Sequence, residues 1–145
     1  MSSAAPVDPQ LLAAWQRTEY RVQTGEGSLV LHIGEASTAL RELLRREGVA
    51  CAAYITADNP GSRTVPDWEN RPARQRLKAR LRAGGWRWLP GLGVDPDGDH
   101  PGEHSLLVLG ITTADAIAIG REFGQDAILL VAEDAVPRLA LCSEG

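Results

Sequence analysis

Nowhere in the 145-residue chain do eighteen apolar residues run together, which excludes a membrane-spanning helix of ordinary length. The first ten residues hold no basic cluster followed by an apolar stretch, so no leader or anchor is expected and the chain reads as cytoplasmic, with no membrane partner. Cysteine is scarce. Cys51 and Cys142 stand far apart, each inside an apolar run, and match neither a disulfide framework nor a zinc motif. Both read as small buried hydrophobes. Internal repeats and low-complexity segments are also lacking.

What is present describes a folded domain. Apolar residues make up 43% and charged residues 23% of the chain, values that separate it from disordered sequences. A domain of this length buries roughly 70% of the surface that its unfolded chain exposes, enough for one complete core. Residues 20–145 are expected to form that domain, with residues 1–19 as a tail and an appended helix. The net charge of −4 conceals an uneven distribution. Seven of the 15 basic residues (Arg71, Arg74, Arg76, Lys78, Arg80, Arg82, Arg87) fall within residues 71–87 without one acidic residue, leaving eight basic against 19 acidic ones elsewhere.

The element pattern predicts an α/β (α+β) fold, a mixed and mostly antiparallel sheet flanked by helices. Asp8 before Pro9 starts a helix to about Thr18, since aspartate caps free N–H groups and proline suits the first helical position. Residues 20–22 and 28–33 form a hairpin about Thr24-Gly25-Glu26-Gly27. Ser37 or Thr38 caps a helix carrying Leu40, Leu43 and Leu44 that ends at Gly48. Residues 49–57 are apolar almost throughout, as a strand covered on both faces must be. A helix over residues 66–83 follows the turn formers Asp58-Asn59-Pro60-Gly61-Ser62. Two strands, at 86–92 and 105–110, are joined by an irregular acidic stretch, and Pro90-Gly91-Leu92-Gly93 reads as a bend. Thr112 with Asp115 has capping-box spacing for a helix ending at Gly124. Strands at 127–132 and 138–142 complete the chain.

Tyr20-Arg21-Val22, Ile33-Gly34, Ile55-Thr56-Ala57-Asp58-Asn59-Pro60-Gly61-Ser62, Glu69-Asn70, Pro90-Gly91-Leu92-Gly93, Ser105-Leu106-Leu107-Val108-Leu109-Gly110-Ile111 and Phe123-Gly124-Gln125 occur in that order. Together they resemble the bacterial family called domain of unknown function 3293, over about residues 20–141. The resemblance implies one folding unit and carries no reaction, cofactor or catalytic residue. The chain departs from the family's pattern near residues 99–102, where a tryptophan is expected before Glu103.

Three constellations carry chemistry. Asp58, Asn59 and Ser62, with Glu69 and Asn70, bring a carboxylate, amides and a hydroxyl to one end of the central strand, where ligands of open sheets bind. The same side chains also serve as turn formers bonding their own backbone. On the following helix Arg71, Lys78 and Arg82 align beside Arg74, opposite an apolar stripe of Ala73, Leu77 and Leu81, with Trp86 and Trp88 just beyond. Arginines neutralise phosphates and aromatic rings stack bases, yet exposed helix faces are ordinarily charged, and the acidic remainder repels a long polyanion, so specific duplex DNA is not expected. Asp95, Asp97, Asp99, His100, Glu103 and His104 lack the spacing of a calcium loop or a helical zinc site, so no metal and no cofactor is expected. Ser62, Ser105 and Thr56 lie in no nucleophile elbow.

The resulting expectation is a binding module for a small anionic ligand or a protein partner, built from Asp58, Asn59, Ser62, Glu69, Asn70, Arg71 and Arg74 around one electropositive hollow. Its rivals are a small enzyme with Asp58 or Glu69 as general base and a weak single-strand nucleic-acid binder using the basic helix. Nothing in the sequence sets the oligomeric state.

Overall fold

The computed structural model describes residues 7–98 and 102–142. In chain order the elements are α1 (Pro9–Arg17), β1 (Glu19–Thr24), β2 (Gly27–Leu31), α2 (Thr38–Glu47), β3 (Ala52–Thr56), a single 3-10 turn (Pro60–Ser62), α3 (Asp67–Ala83), β4 (Arg87–Val94), β5 (Glu103–Leu109), α4 (Thr113–Glu122), β6 (Ala127–Val131) and β7 (Arg138–Leu141). The seven strands form one sheet in the order β2-β1-β4-β5-β3-β6-β7. Every pairing is antiparallel, so the mixed component expected of the sheet is absent among the described strands.

Helices cover both faces. Leu40, Leu43 and Leu44 of α2 pack with Ala52, Tyr54, Leu107, Leu109, Leu129 and Val131 on one face. Leu77 and Leu81 of α3, with Ala116 and Ile119 of α4, pack with Ala53, Ile55, Leu106, Val108 and Ile128 on the other. Successive β3 residues therefore enter opposite cores, which is why that strand reads as an unbroken apolar run. It is shorter than its apolar run because Val49 belongs to the end of α2. Gly48 takes the left-handed conformation (φ 71°), and the Val49 N–H donates to the Leu44 carbonyl, a helix-closing pattern that delays the strand to Ala52.

The caps follow the sequence. Asp8 accepts from the Gln10 N–H, Ser37 from Leu40 and Thr112 from Asp115. Two expectations are corrected. Pro90-Gly91-Leu92-Gly93 is no bend but the middle of β4. A proline is tolerated there because pairing with β1 stops at Gly91. Gly91 is required because a Cβ would stand 2.5 Å from the Arg21 carbonyl oxygen and 2.8 Å from the Tyr54 hydroxyl, which crosses beneath it. Cys51 is half-buried, its thiol donating to the Ile111 carbonyl at 3.2 Å, because it stands just before β3 instead of inside it. Cys142 is buried as expected, and burial pushes its thiol up to about 11.

Candidate functional site

The chain leaves β3 into a reversal made of unusual backbone. Asn59 (φ 51°), Gly61 (φ 69°) and Ser62 (φ 60°) all lie in the left-handed region, where Asn is tolerated and other side chains are strained. What holds them there is a network reaching into α3, β5 and the end of α4. The Asn59 N–H donates to Asn70 Oδ1 at 2.9 Å, and Asn70 Nδ2 returns a bond to Asn59 Oδ1 at 3.0 Å. Asn59 Oδ1 also accepts from the Val65 N–H, while its Nδ2 donates to Glu103 Oε2 at 2.9 Å. Gln125 Nε2 donates to the Asp58 carbonyl, and the Gly61 N–H donates to the Gly124 carbonyl at 2.7 Å.

Asp58 is the pivot. It is 1% exposed, and both carboxylate oxygens are engaged: Oδ1 by Arg74 Nε at 2.7 Å, Oδ2 by Arg74 Nη2 at 2.8 Å and by the His104 N–H at 2.9 Å. Arg74 Nη1 also meets Asp67 Oδ1 at 2.9 Å. The Asp58 hydrogen bonds hold the Arg74 guanidinium above its ordinary range, and hydrogen bonding to Arg71 holds the exposed Asp67 carboxyl below its own. A carboxylate so enclosed presents no oxygen to a substrate, and an arginine so paired presents no free charge to an anion.

The seven residues selected from the sequence thus fall into two groups. Asp58, Asn59, Asn70 and Arg74 come together in the network; Ser62 stands at its margin, donating to Asp126 Oδ2 at 2.6 Å. Glu69 and Arg71 lie on the exposed side of α3, Arg71 paired with Asp67 at 2.8 Å. The turn and the start of α3 do face one another, and there Arg71 pairs with Asp67 and Arg74 with Asp58 and Asp67. The basic helix is likewise braced from within: Arg80 meets Glu122 at 3.1 Å, and the Arg80 and Arg82 guanidiniums lie 6.0 and 5.5 Å from the ring centres of Trp86 and Trp88. Asp99 and His100 lie outside the described residues.

Beside this network lies a feature that sequence spacing did not indicate. A cavity of about 260 Å³ opens between α1 and the sheet face carrying Tyr54. Leu11, Ala14 and Trp15 of α1 line it with Leu129 and Leu139 on its apolar side; Thr56, Asn59, Ser62, Thr64, Ser105 and Gln125 contribute polar groups. Asp95, Glu103 and Asp126 bring carboxylates, and no lysine, arginine or histidine joins them among the described residues. Tyr20 and Tyr54 meet edge to face at 5.4 Å between ring centres. Their hydroxyls donate to the Trp15 and Arg21 carbonyls at 2.7 and 2.8 Å, and burial raises both phenols well above their ordinary range.

A family model described as a protein of unknown function (DUF3293) matches residues 55–128. That span runs from β3 through the Asp58 network to the start of β6. No curated protein and no solved structure matches the chain.

Proposed function

Because the chain belongs to the DUF3293 family of proteins of unknown function, its role must be read from its own geometry, and we propose that it is a binding module whose small ligand enters the cavity between α1 and the sheet. One observation carries this reading: the cavity joins an apolar wall from α1, β6 and β7 to a polar wall braced by the Asp58 to Asn70 network. Ligand sites combine these two qualities, and a volume a little under the roughly 300–1,000 Å³ of drug-sized pockets suits a metabolite-sized molecule. Asp58, Asn59, Asn70 and Arg74 act in it as the frame, and Ser62 and Asn59 reach the lining.

The reading is tested by fragment screening through backbone amide shifts, beside an Ala14→Phe variant that fills the cavity from α1. Fragments are expected to shift residues around Trp15, Tyr54 and Asp126 in the natural chain and to lose those shifts in the variant. Fragment shifts that map elsewhere, or persist unchanged in the variant, would overturn it.

A second reading keeps an anionic protein partner and places it on the outer side of α3. Trp68 is 69% exposed, and Arg71, Arg76 and Arg82 share the exposed side of that helix. An exposed tryptophan on the same helix side as several arginines has the composition of a binding hot spot. Trp68→Ala together with Arg76→Ala is expected to abolish retention of the protein's acidic partner in a pull-down from its own cell extract, and retention equal to that of the natural chain would dismiss the reading.

A further inference from the structure

We infer that the cavity selects a ligand carrying a protonated amine on a small apolar body, an inference that rests on the cavity being the ligand site. The argument is an accounting of hydrogens. Of the seven hydroxyls in the lining, six direct their hydrogen to a protein acceptor: Thr18 to the Ala14 carbonyl, Tyr20 to Trp15, Tyr54 to Arg21, Thr56 to His104, Ser105 to the Glu103 carbonyl and Ser62 to Asp126 Oδ2, while Thr64 has no such acceptor among the described residues. The two side-chain amides also donate inward, Asn59 to Glu103 and Gln125 to the Asp58 and Phe123 carbonyls. With lysine, arginine and histidine absent from the described lining, the side-chain donors left for a ligand's carboxylate or phosphate are neutral ones, the Thr64 hydroxyl, the Trp15 indole N–H and the second Asn59 amide hydrogen.

Acceptors are left over. Asp126 receives the Ser62 hydroxyl, Asp95 receives the Asp97 N–H, and neither forms a salt bridge among the described residues. A carboxylate holds about four acceptor positions, so both keep the capacity to bind an ammonium group. The lining also holds Leu11 and Trp15 from α1 and Tyr20, Tyr54, Leu129 and Leu139 from the sheet. Such rings accommodate a hydrocarbon body and attract a cation that approaches their faces. An anion entering the same space would meet three carboxylates, with only neutral side-chain donors to replace its hydration.

The experiment compares three compounds of one skeleton by titration calorimetry and amide shifts at neutral pH: phenethylamine, 2-phenylethanol and 3-phenylpropanoate. The amine is expected to bind at least about tenfold tighter than the alcohol, the factor set by one charge-assisted hydrogen bond, and the carboxylate weakest. Asp126→Asn, which preserves an acceptor for Ser62, is expected to remove most of the amine's advantage, with Asp95→Asn as a second variant if the first unfolds. Tighter binding of the alcohol or the carboxylate, with shifts on cavity residues, would overturn the amine inference while leaving the site in place. Failure of all three, together with fragment shifts that avoid the cavity, would remove both.

Discussion

Arg74 grips Asp58 with two parallel hydrogen bonds of 2.7 and 2.8 Å, and the carboxylate it holds is closed to solvent. This pair ties the end of β3 to the first half of α3, and the Asp58 carboxylate passes the tie on to β5 through the His104 N–H. Removing one partner of a buried pair leaves a charge without compensation, which costs about 3–5 kcal/mol. Arg74→Ala is expected to lower unfolding free energy by about 3 kcal/mol, toward the lower end because Arg74 keeps 18% exposure. Arg74→Lys, which retains charge but not the forked geometry, is expected to lose less. Urea unfolding checks both, and an Arg74→Ala loss below that of the lysine variant would show the pair to be dispensable.

Arg71 supplies the contrast. Its bond to Asp67 spans one helical turn with both side chains largely in water, and such solvent-screened pairs add little to stability. Arg71→Ala is therefore expected to leave the urea midpoint almost unchanged.

The chain's two tyrosines are Tyr20 and Tyr54. Burial raises both phenols in the folded state, so each contributes stability that is complete below the unfolded phenol's pKa of about 10 and is lost as pH rises above it. Ultraviolet titration of the folded protein at pH 10–11 is expected to show little tyrosinate, and the unfolded chain to show both. Substantial tyrosinate at pH 10 with the far-ultraviolet dichroism intact would contradict the packing of the cavity floor.

Cys142 behaves in the same direction. Its thiol is pushed up to about 11 from an ordinary 9, so stability present below pH 9 declines through the interval between 9 and 11. Cys51, half-buried beside the start of β3, is expected to react first with a thiol reagent at pH 8, and Cys142 only at the rate of opening. The order of modification by mass spectrometry decides this.

Gly124 offers a backbone test. It sits at φ 71°, and a Cβ there would lie 2.9 Å from the Cβ of Pro60 in the reversal after β3. Gly124→Ala is expected to lower stability by about 1–2 kcal/mol from conformation alone, with the largest amide shifts around Asn59 and Ser62. Unchanged stability would mean that the reversal yields freely.

Much of the fold was legible because its signals are local. The helix caps at Asp8, Ser37 and Thr112, the left-handed Gly48 and the two-faced apolar run of β3 each express short-range chemistry. Pro90-Gly91 was misread because its cause lies elsewhere: the Tyr54 hydroxyl passing under β4 demands a glycine, and no spacing within 90–93 reveals that. The site was legible by half. Asp58, Asn59, Asn70 and Arg74 were identified as a group from turn chemistry and helix position, but their mutual neutralisation depends on a distance between two elements. The cavity escaped notice because Trp15, Tyr54 and Asp126 are brought together only by the sheet order.

No residue of α1 is fully buried, and what fastens it is the Tyr20 hydroxyl on the Trp15 carbonyl, the apolar side toward the sheet and a long 3.8 Å contact from Arg17 to Asp97. A segment so lightly attached lifts away at a small fraction of the energy needed to melt the sheet. Its amide protons should therefore exchange with solvent orders of magnitude sooner than those of β3 and β5, and the energy of opening the space beneath it is set by the docking of one nine-residue helix instead of by the firmness of the whole protein.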